Sequence, residues 1–174
     1  MKKRIDPRQL QAHAQRGSPR MPEPVAAYRR SSRRGDGGDD PFPHGRYCLG
    51  FELPRASDAC EMRVRDLYRA LVPWLAHELV ERPQPWIDLL ALVDELVRRE
   101  DDWYAWAAPW PLADLRRVVD DVAVLMTEQP GPWARHRLGD IDEPHLARKF
   151  TDLQRDLAAH ASDVSEVLVN VHWW

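Results

Sequence analysis

EPHLARKFTDLQRDLAAHASDVSEVLVNVHWW, residues 143–174, carries the most regular apolar spacing in the chain. Leu146, Phe150, Leu153, Leu157, His160, Val164, Val167, Val171 and Trp174 follow one another at alternating steps of four and three. A helix brings such positions back to one side, and a seam sustained for about four heptads predicts coiled-coil-like packing, within a bundle or between subunits. Asp140 or Asp142 ahead of Pro144 supplies a start for this helix.

Three earlier segments repeat the behaviour. Val64, Leu67, Leu71, Leu75 and Leu79 form one stripe behind a cap at Ser57 or Asp58, and Pro73 predicts a kink near Arg69 to Val72 or two shorter helices. Trp86, Leu89, Leu90, Val93, Leu96 and Val97 share one side of a segment running to Arg99. Leu115, Val118, Val119, Val122 and Met126 do so in a segment that starts near Leu112 and stops at Pro130-Gly131-Pro132. Tyr47 to Leu53 reads as one short strand at most, and Trp103 to Pro111 as a loop or short helical turn. The predicted fold is all-α: an antiparallel helical bundle of about four helices over residues 46–174, preceded by a basic extended arm.

That arm is defined by charge. Residues 1–34 hold ten Lys or Arg against Asp6 and Glu23, a balance of +8 that leaves −11 on the remainder of a chain with net charge −3. Arg29, Arg30, Arg33 and Arg34 are its densest cluster, and a Gly, Asp and Pro-rich hinge follows, so residues 1–45 read as largely non-globular. A short helix at Pro7 to Gln15 is compatible with the pattern, whereas Gly17, Pro19, Pro22 and Pro24 discourage a longer one. Such an arm can neutralise phosphates of nucleic acid or dock on an acidic protein surface, including that of the body. Tyr28 is its one aromatic, so base stacking has little support. The chain is rich in arginine, with Lys2, Lys3 and Lys149 its only lysines, so arginine content by itself is weak evidence for a ligand.

Among eight tryptophans, the cluster Trp103, Tyr104, Trp106 and Trp110 is the most unusual local feature. Exposed, it would anchor a protein partner; buried, it would cover the end of the bundle. His77-Glu78-Leu79-Val80-Glu81 contains half of a zinc-helix signature and lacks the second histidine, which favours a solvated helix face. His160 interrupts the heptad seam beside Asp152, Asp156 and Asp163, and Asp94, Glu95, Asp120 or Asp121 could join them around a divalent cation; pairing of these acids with neighbouring arginines is the simpler reading. A helix-turn-helix over residues 112–150 would need a connector shorter and poorer in proline.

The chain has no phosphate-binding glycine loop, no nucleophile elbow, no cofactor motif, no secretory h-region behind Met1-Lys2-Lys3-Arg4 and no apolar run long enough to span a bilayer. Cys48 and Cys60 fit no disulfide framework and read as reduced thiols, which suggests a cytoplasmic protein. The expected function is a non-enzymatic interaction, adaptor or structural subunit of a larger assembly, with no metal or cofactor, a protein partner or self-association, and a basic arm docked on an anionic protein or nucleic-acid surface. The alternatives are a nucleic-acid-binding accessory protein and a metal-dependent helical hydrolase.

Overall fold

The computed structural model describes residues 3–4, 21–34, 46–53, 60–99, 106–128, 143–159 and 164–173. In chain order these form β1 (Lys3–Arg4), α1 (Glu23–Arg34), β2 (Tyr47–Glu52), β3 (Cys60–Arg63), α2 (Val64–Ala76), α3 (Gln84–Arg99), β4 (Trp106–Pro111), α4 (Leu112–Glu128), α5 (Glu143–Ala159) and β5 (Glu166–Trp173). The fold is mixed α/β, which overturns the predicted all-α bundle. Strands β4, β5, β2 and β3 lie antiparallel in that spatial order, and β1 adds in parallel beside β4.

The error in the heptad reading has an arithmetic cause. Four residues make about one helical turn and also two full strand pleats, so Val167 and Val171 share a side in either conformation. Val169 separates the two cases, because a helix would turn it away from both neighbours while a strand aligns all three. Val167, Val169 and Val171 are all fully buried. Four β-branched valines between positions 164 and 171 also fit the pleated surface better than a helix. The seam holds over α5, where Leu146, Phe150, Leu153 and Leu157 are buried. His160 and Trp174 lie outside the described residues.

A second misreading concerns Pro109 and Pro111, which occupy β4 rather than a loop. Proline is accepted in a strand where its nitrogen faces away from the pairing partner. Alternation then turns the nitrogen of Ala107 to the same outer edge, where β1 pairs with Trp106 and Ala107. Past Ala107 that edge has carbonyls but no donor at the two prolines, which blunts it against strand addition. On the opposite edge, Lys149 of α5 donates from Nζ to the Glu61 carbonyl of β3 at 3.0 Å.

All five helices bury apolar side chains in one cluster with Leu49 and Phe51 of β2 and the three valines of β5, so the helices cover one face of the sheet. Of the remaining expected segments, α2 forms as one helix with Pro73 inside it, but it starts only after β3 and ends before Leu79, which is exposed and does not join the expected stripe; Ser57 and Asp58 fall outside the described residues. Trp86 Nε1 donates to Asp121 Oδ2 at 3.2 Å and ties α3 to α4. Arg116 of α4 reaches the Leu157 carbonyl of α5 at 3.0 Å. Residues 23–34, assigned on charge to the non-globular arm, are helical, and Val25 and Tyr28 belong to the core. Pro24 falls in the first turn of α1, where a missing N–H costs no helical bond; it marks a helix start rather than forbidding one.

Candidate interaction surfaces

Among the described residues, polar, charged or exposed aromatic side chains gather at the seat of α1 on α2, at the aromatic end of the sheet and on the sheet face turned away from the helices, besides the ion pairs along α3 and α5.

At the first, Val25 and Tyr28 stand one turn apart on α1 and bury toward α2. Next to them, Arg29 donates from Nε to the Ala76 carbonyl at 3.3 Å and sets Nη2 3.6 Å from Glu78 Oε1. The Tyr28 ring meets His77 edge-on with centroids 6.2 Å apart. Burial pushes the Tyr28 phenol well above its ordinary pKa. The receiving turn is a helix C-terminus: the Leu79 N–H reaches the Trp74 carbonyl at 3.0 Å and the Glu78 N–H the Leu75 carbonyl at 3.2 Å. Glu78 adopts φ 58°, the left-handed position usually given to glycine. His77 and Glu78, read from the sequence against a zinc signature, are thus the turn on which α1 rests, and Glu81 is exposed nearby.

The four arginines predicted to meet an anionic partner all lie on α1. Arg29 is turned inward as described. Arg30 is 60% exposed and is paired with Glu23 of the same helix. Arg33 and Arg34 are the last two residues of the same helix.

The predicted aromatic cluster is only partly described, since Trp103 and Tyr104 lie outside the described residues. Trp106 is registered against Val171, and Trp110 is half-buried against the core with its Nε1 buried and without an acceptor among the described residues. An aromatic the sequence reading missed is more open: Trp173, 43% exposed, closes β5 opposite Tyr47, the two rings edge-on at 5.4 Å. Strand alternation after Val171 would have picked out Trp173; the heptad seam selected Trp174 instead.

On the far face of the sheet Cys48, Ala107 and Asn170 are buried, the last to 2% exposure. Asn170 donates from Nδ2 to Glu52 Oε1 at 2.8 Å, and its Oδ1 is 3.3 Å from His172 Nδ1, close enough to accept a bond from that nitrogen. His172 Nε2 stands 3.7 Å from Glu61 Oε1. The carboxamide lies over Gly50, where a Cβ would come within 2.8 Å of Oδ1, so only glycine leaves room for it. Cys48 faces His172 in the register, but desolvation, then the charge of Glu61, raises its thiol pKa, the reverse of an activated nucleophile. Cys60 is pushed up to about 11, mainly by burial; both cysteines are free thiols. Chemically this row is a polar clasp between β2, β3 and β5.

The acids weighed as metal ligands have other partners. Asp94 pairs with Arg98 at 2.8 Å, Glu95 with Arg99, and Asp152 with Arg155 at 3.0 Å. Asp156 stands 3.6 Å from Arg155, Asp120 accepts from Gln154 at 2.6 Å, and Asp121 accepts from Trp86. Among the described residues no three His, Cys, Asp or Glu side chains are grouped to hold a metal ion, and no helix is long and apolar enough to cross a membrane. His160 and Asp163 lie outside the described residues.

No protein-family model, curated protein or solved structure matches this chain.

Proposed function

We propose that the protein is a non-enzymatic interaction or structural subunit of a larger assembly, and that α1 carries its contact with an anionic surface of protein or nucleic acid. The observation behind this reading is the seating of α1. Val25, Tyr28 and Arg29 fix one side of the helix to α2 while Arg30, on the other side, stays well exposed at the head of the run that ends in Arg33 and Arg34. A basic segment held as a helix loses less conformational entropy on binding than an unstructured one. The Trp173–Tyr47 pair supplies a second surface of the kind that protein partners use, a large aromatic with one side open.

Binding of a labelled DNA duplex and of poly-glutamate, followed by fluorescence anisotropy over a range of salt, tests the proposal on the full chain and on R30E/R33E/R34E. Arg29 is left intact because it seats the helix. The triple variant should lose at least about tenfold in affinity for the polyanion it binds, and its salt slope should flatten by about 0.9 for each phosphate contact removed from a duplex. Duplex binding without poly-glutamate binding selects the nucleic-acid accessory role; the converse selects a protein partner. Equal affinity of wild type and variant for both polymers would overturn the role of α1.

A further inference from the structure

We draw no further inference here: the strongest candidate, the Cys48–His172–Asn170 cluster on the face of the sheet turned away from the helices, belongs to the polar clasp already described, where Asn170 and Glu61 face the two nitrogens of His172 and the Cys48 thiol is buried.

Discussion

Between Leu168 and Val171, β5 has a paired strand on each side, β2 on one and β4 on the other, and its valines fill the centre of the core. Among the described residues, helix α1 meets the body through buried Pro24, Val25 and Tyr28, an arginine and the turn after α2. The two elements lie near opposite ends of the chain, and their neighbours are distant in sequence or, for α1, one element group away. Removing β5 would take away the strand that lies between β4 and β2 in the sheet, whereas lifting α1 would uncover one flank of α2. A central strand therefore stands or falls with the whole fold, while a helix on the flank can open by itself. The charge asymmetry follows the same division, since the basic run sits on the flanking helix and not on the central strand.

The sharpest way to break this comparison is Val169→Asp. If residues 164–174 continued the heptad helix, position 169 would face away from the seam and accept a carboxylate. In the strand it is fully buried, and an uncompensated charge there should cost about 3–5 kcal/mol or more, enough to remove the near-ultraviolet circular dichroism of a folded core. A variant with wild-type spectrum and melting temperature would restore the helical reading.

Next in size are changes to the polar clasp beside those valines. Asn170→Ala leaves Glu52 and His172 without their shared partner and should cost about 1–3 kcal/mol in denaturant unfolding. Gly50→Ala should also destabilise, because its new methyl meets the carboxamide. The double variant should lose less than the sum, since Asn170→Ala vacates the space that the methyl of Gly50→Ala needs. Strict additivity would show that the two residues do not share that space.

For α1 the expected response is local. Tyr28→Ala removes its one buried aromatic anchor, so hydrogen exchange should speed up along residues 25–34 while amides of β2, β4 and β5 keep their protection. Loss of protection throughout the sheet would mean that α1 is as integral as β5. The smallest effect belongs to the turn beneath it. Glu78→Gly relieves a left-handed backbone at the cost of a screened ion pair 3.6 Å long, on a carboxylate that is largely exposed. The net result should be a stabilisation of about 0.5–1 kcal/mol, read as a higher denaturant midpoint.

Much of the helical content was legible because amphipathic stripes report directly which side of a helix must leave water. Leu89, Leu90, Val93 and Leu96 in α3, and Leu115, Val118, Val119 and Val122 in α4, are buried as their spacing requires. The candidate surfaces were far less legible. Arg29 looked like a free cation and is turned onto the Ala76 carbonyl, because nothing local to residues 29–34 says that a helix end 47 residues later will sit beneath it. Nothing local marks Asn170, because its neighbours Gly50 and Glu52 come from β2, more than a hundred residues earlier.

Local spacing is enough to place the amphipathic runs of α3 and α4, the concentration of basic charge and the lack of a disulfide framework for Cys48 and Cys60, since each of these depends on residues within a few turns of one another. Long-range packing is what makes residues 166–173 a strand, seats Pro109 and Pro111 in a sheet and docks residues 23–34 as a helix. The physical reason is common to all three. A four-residue apolar step suits helix and strand alike, a proline is tolerated wherever its nitrogen faces outward, and a short basic helix is stable once another helix covers its apolar side; in each case the deciding partner lies far away in the chain.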